Sequence, residues 1–170
     1  MNPYFTSELL DNKHHDIKDF NCGIKELNTY LKEKAGQVIK KNVTAVYVLH
    51  YRNNSKIIGY YTLSSYSISL EELPLLLTKK LPKYKSLPTI LIGRLAVDTS
   101  FQGKSIGEYL LMDALNRSYS LSKQIGSYAI IVNAKDEKSK GFYKKYGFIP
   151  FLNKPFTLYF PMKTIKNIFT

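Results

Sequence analysis

The stretch Leu91-Ile92-Gly93-Arg94-Leu95-Ala96-Val97-Asp98, continued by Gln102-Gly103-Lys104-Ser105-Ile106-Gly107, decides how the rest of the chain is read. It is an apolar strand, then a short turn, then the glycine-punctuated start of an amphipathic helix. A helix that begins straight after such a turn leaves several backbone N–H groups without intrahelical partners, aimed at one point. With the positive end of the helix dipole they make a candidate site for a pyrophosphate. The glycine spacing fits neither the dinucleotide fingerprint nor the P-loop.

Around this turn, Thr89 to Val97 is apolar on both faces, as a central strand is. Ser105 to Lys123 reads as a helix with a buried stripe of Ile106, Leu110, Leu111, Ala114 and Leu115. Towards the N-terminus, Thr6 to Leu10 reads as a first strand, followed by a polar turn from Asp11 to His15. Ile24, Leu27, Leu31, Ala35, Val38 and Ile39 follow helical spacing; Gly36 weakens that helix and Lys40-Lys41-Asn42 ends it. Ala45 to Tyr51 and Ile57 to Leu63 form a hairpin about Asn53-Asn54. A helix is expected over Leu70 to Lys80, with Pro82 and Pro88 bracketing a loop. Downstream, Tyr128 to Asn133 is a second central strand, and Ser139 to Tyr146 a short helix capped by Gly147. Phe148 to Phe151 and Thr157 to Phe160 supply the last strands. The sum is one α/β domain over residues 1–170, a mixed sheet with helices on its faces and no repeat or linker.

A composition of 44% hydrophobic and 14% aromatic residues is that of a globular chain. No apolar run approaches the ~20 residues of a membrane span, and Met1-Asn2-Pro3-Tyr4-Phe5 lacks the order of a signal peptide. The lone Cys22 rules out an intrachain disulfide and reads as a small structural residue, so a cytoplasmic location is expected. His14, His15 and His50 form no metal spacing with cysteine or carboxylates, and no metal is expected. The net charge of +12 is unevenly spread, with no acidic residue between Glu33 and Glu71, between Glu72 and Asp98, or after Glu137. Two readings stay open: a polyanionic partner such as nucleic acid, or a solvated lysine-rich surface. The lysines are too dispersed for a membrane-binding helix.

Further motifs accompany the turn: Phe20-x-Cys22-Gly23, Gly59-Tyr60-Tyr61-Thr62-Leu63-Ser64, and Phe142-Tyr143-x-x-Tyr146-Gly147-Phe148. In this order they make the chain resemble the GNAT family of N-acetyltransferases, and more narrowly the acetyltransferase toxins of bacterial type II toxin–antitoxin pairs. The resemblance implies a mostly antiparallel central sheet with a splayed cofactor cleft between the fourth and fifth strands. It implies acetyl-CoA as cosubstrate, its pantetheine held by backbone groups of Leu95, Ala96 and Val97. Its pyrophosphate would lie on Gln102, Gly103, Lys104, Ser105, Ile106 and Gly107. Asn133 would contact pantetheine or acceptor, or else be a strand-end turn residue. Ser139 would face CoA, or belong only to the first turn of its helix. Phe142 would pack on the cofactor, and Tyr143 would be the general acid beside the sulfur. From the residues alone, Tyr143 is a core aromatic in a cluster with Phe142 and Tyr146.

Two departures matter. Ser105 stands where the family pattern has its central glycine, and there it either crowds the phosphate and forces a positive φ, or adds a hydrogen bond or a helix cap. Leu91 to Val97 holds no carboxylate base, and Asp98 reads as a fastener of the turn. A lysine side chain, with a reference pKa near ~10.4, is almost wholly protonated at neutral pH, whereas an α-amine near ~8 is partly free. The missing base therefore favours an α-amino acceptor. The toxin resemblance implies the α-amine of an aminoacyl-tRNA, with a small DNA-binding antitoxin as partner and a homodimer as assembly. The competing readings are a housekeeping enzyme for a small amine or protein N-terminus, and a catalytically impaired module that binds acyl-CoA or nucleic acid. Arg94 either lies near the substrate or forms a salt bridge within the sheet.

Overall fold

The computed structural model describes residues 4–170. Seven strands hydrogen-bond in the order β1-β2-β3-β4-β5-β7-β6. The residues fall into two compact units, 4–64 with 93–114 and 65–92 with 115–170. The strands β3 (Ile57–Ser69) and β4 (Ser86–Val97) and the helix α4 (Ile106–Ser122) each run through both.

In the first unit β1 (Phe5–Leu9) pairs antiparallel with β2 (Ala45–Tyr51), from Phe5 opposite Tyr51 to Leu9 opposite Tyr47. The hairpin expected about Asn53-Asn54 then brings β2 against the first half of β3, Ala45 opposite Leu63, with a bulge at Leu49/His50. The helix expected from Ile24 is present in three pieces: α1 (Lys25–Thr29), a π-helical turn over Tyr30–Lys34, and α2 (Ala35–Lys40). Asn42, at φ 54°, ends it where the basic run was expected to. Tyr30, Leu31 and Ala35 join Phe20, Cys22, Val46, Val48, Ile57, Tyr60 and Ala96 in one core. Gly36 earns its place here: a Cβ would lie 3.0 Å from Asn12 Nδ2 in the turn after β1.

The second unit holds the parallel pairing of β4 with β5 (Ala129–Asn133), Thr89 opposite Ala129 through Ile92 opposite Val132. β7 (Thr157–Pro161) lies antiparallel between β5 and the short β6 (Ile149–Pro150). Its core gathers Ile68, Leu73, Leu87, Ala129, Ile131, Phe151 and Tyr159. The helices α5 (Glu137–Lys145) and α6 (Met162–Phe169) complete it.

The expected helix over Leu70 to Lys80 is replaced by a 3₁₀ turn (Leu70–Glu72) and a four-residue α3 (Leu75–Thr78). Pro74 is the physical reason. It has no N–H to donate and pushes Leu73 into an extended conformation, at φ −93° and ψ 151°. β3 also outruns its expected end at Leu63, because Ile68 is buried in the second core. β4 starts at Ser86 with Pro88 inside it, since the Pro88 carbonyl still accepts from the Tyr128 amide at 2.8 Å.

Gly59 on β3 is where the first unit is tightest. A Cβ there would lie 2.7 Å from Leu110 Cδ1 and 2.8 Å from the Ala96 carbonyl oxygen. The backbone oxygen cannot swing away, so Gly59→Ala should destabilise by about 2–3 kcal/mol in urea unfolding.

Candidate functional site

The turn after β4 is fastened before it can present anything. Asp98, 3% exposed, accepts from the Ser100 amide through Oδ1 and from the Asn21 amide through Oδ2, both at 3.0 Å. Burial pushes its carboxyl pKa up, but the two amides outweigh that and hold it below the ordinary aspartate value. The backbone adds two bonds of 2.8 Å, from the Asp98 amide to the Ile58 carbonyl and from the Thr99 amide to the Asn21 carbonyl. The Gln102 side-chain amide then donates to the carbonyls of Cys22 (3.0 Å) and Val97 (2.9 Å). Phe20-x-Cys22-Gly23 thus has a mechanical task. Phe20 is buried, the Cys22 carbonyl receives Gln102, and Gly23 turns the chain at φ 83°.

Past Gln102 the backbone alternates. Gly103 has φ 73°, Ser105 has φ 58°, and Lys104 between them stays negative. The positive φ expected of Ser105 is therefore present, the backbone shape that glycine takes freely. The Ser105 carbonyl accepts from the Tyr109 amide at 3.0 Å and opens α4. The amides of Gly103, Lys104 and Ser105 have no protein acceptor among the described residues. Successive N–H groups in such alternation form a concavity that suits an anion. The Lys104 ammonium is anchored on the Ser100 carbonyl at 3.1 Å and adds positive charge beside it.

The other expected binding residues sort as follows. The Gln102 side-chain amide is engaged by the Cys22 and Val97 carbonyls. Leu95 and Val97 are half-buried, Ala96 is in the first core, Ile106 is buried and Gly107 half-exposed. Arg94 has no ion pair within the sheet among the described residues. Its guanidinium stacks 3.6 Å over the ring of Tyr30, the residue the π-helical turn points inward.

In the second unit, Tyr143 on α5 is 9% exposed and meets Phe148 edge-on at 5.4 Å. Burial pushes its phenol up to about 12. Phe142 lies edge-on to Tyr143 at 5.3 Å and to Tyr146 at 5.1 Å, so the aromatic cluster read from the sequence is present. Gly147, at φ 99°, ends the helix as expected. Asn133 closes β5 and accepts from the Thr157 hydroxyl at 3.0 Å. The Ser139 amide donates to its helix cap, Asp136, at 2.7 Å.

One cluster escaped the sequence reading. Glu8, His15 and His50 bring their nitrogen and oxygen atoms within 4.8 Å of one another. The Asp11 amide donates to His15 Nδ1 (2.9 Å), so the ring proton sits on Nε2 and is donated to Glu8 at 3.1 Å. A metal would need that nitrogen bare as well, which a neutral imidazole does not offer. His50 points Nδ1 at the carbonyls of Tyr51 and Asn54, and Nε2 at Glu8 (2.8 Å). The hydrogen bonds from His50 and His15 hold the Glu8 carboxyl below its usual value. The arrangement clasps the turn after β1. Strand pairing assembles it, and no sequence spacing announces it.

Residues 42–150 match the model of the acetyltransferase (GNAT) domain family. The chain is 29% identical to the probable toxin TacT of Sinorhizobium fredii, over 95% of this chain and 93% of that protein. It is 30% identical to the tRNA-acetylating toxin of Mycobacterium tuberculosis, over 78% of each. The structure of AtaT complexed with acetyl-methionyl-tRNAfMet superposes with a TM-score of 0.90 at 34% identity, covering 98% of this chain and 99% of that one. A tyrosine-to-phenylalanine mutant of AtaT, bound to the C-terminus of the antitoxin AtaR and acetyl-CoA, gives 0.83 at 31% identity, with 98% of each chain covered.

Two stability measurements check the turn. Ser105→Gly removes a left-handed cost of about 1–2 kcal/mol against a smaller entropic loss, so the urea midpoint should rise. Asp98→Asn should destabilise by about 2–3 kcal/mol at neutral pH, since one amide loses its charged acceptor. The depressed Asp98 pKa stabilises the fold above the unfolded value near ~3.9 and ceases to as pH falls through the folded value. The gap between wild type and Asp98→Asn should therefore narrow below about pH 4.

Proposed function

The chain belongs to the GNAT acetyltransferase family, and from that premise we propose an acetyl-CoA-dependent toxin that acetylates the α-amine of aminoacyl-tRNA and so blocks translation. The observation that carries the reading is the likeness over 98% of the chain to AtaT in complex with an acetylated aminoacyl-tRNA. A net charge of +12 suits a polyanionic substrate. The chain acts as one acetyltransferase domain in the cytoplasm, where charged tRNA is found. A small DNA-binding antitoxin holds it in check, as AtaR binds AtaT. Ile149, Leu152 and Phe156, all exposed near β6, supply an apolar face for a homodimer.

The proposed chemistry divides among this chain's own groups. The amides of Gly103, Lys104 and Ser105 receive the diphosphate of acetyl-CoA, with Ile106 and Gly107 continuing the helix terminus. Backbone groups of Leu95, Ala96 and Val97 follow the pantetheine. Phe142, Asn133 and Ser139 are assigned to the same cosubstrate. The neutral α-amine attacks the thioester carbonyl, the C–S bond breaks, and the thiolate leaves.

Tyr143 works at that last step. With its phenol pushed up to about 12, it holds its proton throughout the physiological range. A thiolate with reference pKa near ~8.5 cannot remove that proton outright. Tyr143 therefore stabilises the developing thiolate by a hydrogen bond, and the proton that finally rests on sulfur comes from the attacking nitrogen. The absence of a carboxylate from Leu91 to Val97 fits an acceptor that arrives partly deprotonated.

Tyr143→Phe removes only the hydroxyl. It should lower kcat by about a hundredfold or more while leaving acetyl-CoA affinity and folding stability nearly unchanged. The wild-type kcat/KM should rise with pH to a plateau above about pH 8, the range of an α-amine, with no falling limb up to about pH 9.5. Undiminished turnover by Tyr143→Phe would remove the assigned role.

A further inference from the structure

The segment joining β3 to β4 has no part in the acetyl-transfer chemistry above, yet it is built with care. Leu70, Leu73, Leu77, Leu81 and Leu87 are its inward anchors, all packed in the second core. Backbone bonds fix what lies between: Leu77 and Thr78 donate to Pro74, Lys79 to Leu75, and Leu81 to Thr78. The Tyr84 amide closes a tight turn onto the Pro82 carbonyl at 2.8 Å.

Held this way, the segment turns Lys79, Lys80, Lys83 and Lys85 outward, all exposed, with Tyr84 63% exposed among them. No acidic residue occurs from Leu73 to Val97. The nearest acid before that run, Glu72, is taken by the ammonium of Lys154. Among the described residues the four lysines have no carboxylate partner. The result is four unpaired cations within seven residues, flanking a flat ring presented to solvent.

We propose that Lys79, Lys80, Lys83 and Lys85, with Tyr84 between them, form a docking surface for an unpaired stretch of RNA. The lysines neutralise successive phosphates, and the Tyr84 ring stacks on a base that a duplex would hide. Charge on both sides of the ring favours RNA over an acidic peptide, which offers no base to stack. The exposed Leu75 and Leu76 sit on a helix of four residues, too short to lie as an amphipathic helix in a membrane surface. This proposal rests on the aminoacyl-tRNA reading and says where on this chain the RNA is held.

Deacylated tRNA binding, followed by fluorescence anisotropy across a salt series, tests it without catalysis. The variant with all four lysines changed to Gln should bind about a hundredfold more weakly, with a log–log salt slope shallower by about 3. Tyr84→Ala alone should weaken binding about tenfold and leave the slope unchanged. Acetyl-CoA affinity and melting temperature should hold in both. A control carrying Lys13, Lys18, Lys32 and Lys40 changed to Gln removes equal charge from the first unit; an equal loss there overturns the localisation. Wild-type affinity and slope in the patch variants overturn it as well. A loss of binding to phosphatidylglycerol vesicles with tRNA binding intact overturns it in favour of a lipid surface. If the wild type does not bind tRNA, the aminoacyl-tRNA reading itself fails, and this surface falls with it.

Discussion

The turn after β4 depends on how Asp98 and Gln102 tie it down. An anion-binding concavity needs amides that point outwards without protein partners, and such a loop collapses unless something else holds its shape. Here the bonds are supplied from behind. Asp98 receives the amides of Ser100 and Asn21, and Gln102 bridges the carbonyls of Cys22 and Val97. One distant segment, the Asn21–Gly23 turn, and the adjoining end of β4 are laced to the loop in this way. The amides of Gly103, Lys104 and Ser105 are left without a protein acceptor among the described residues.

Ser105 is intelligible against this background. A serine at φ 58° is strained, and the surrounding bonds hold it there. The departure from glycine costs stability while keeping the shape of the loop. That weakens the reading of the chain as a merely binding relative. The chemistry follows a similar economy. With no carboxylate along Leu91 to Val97, the proposed reaction relies on an acceptor that is already a good nucleophile. An α-amine meets that requirement, and a lysine side chain does not.

The strands and α4 were legible because their apolar periodicity is strong; the Gly147 cap followed from residue chemistry, and the Asp98 fastener from the family resemblance. The three-piece helix was not, because the apolar spacing from Ile24 to Ile39 is nearly the same whether or not a π turn intervenes. Leu70 to Lys80 misled because its leucines have helical spacing while Pro74 forbids the continuous ladder. Gln102 lies in the stretch assigned to the pyrophosphate, and its side-chain bond to the Cys22 carbonyl was not legible because the two residues are 80 positions apart. The Glu8, His15 and His50 clasp and the stacking of Arg94 on Tyr30 likewise depend on pairings far apart in sequence.

In the proposed reaction, the amides laced into place after β4 grip the diphosphate of acetyl-CoA. An amide NMR titration of the ¹⁵N-labelled protein with acetyl-CoA tests this most directly. Gly103, Lys104 and Ser105 should show the largest shifts, saturating together. Saturable binding that leaves these three amides unmoved would contradict it.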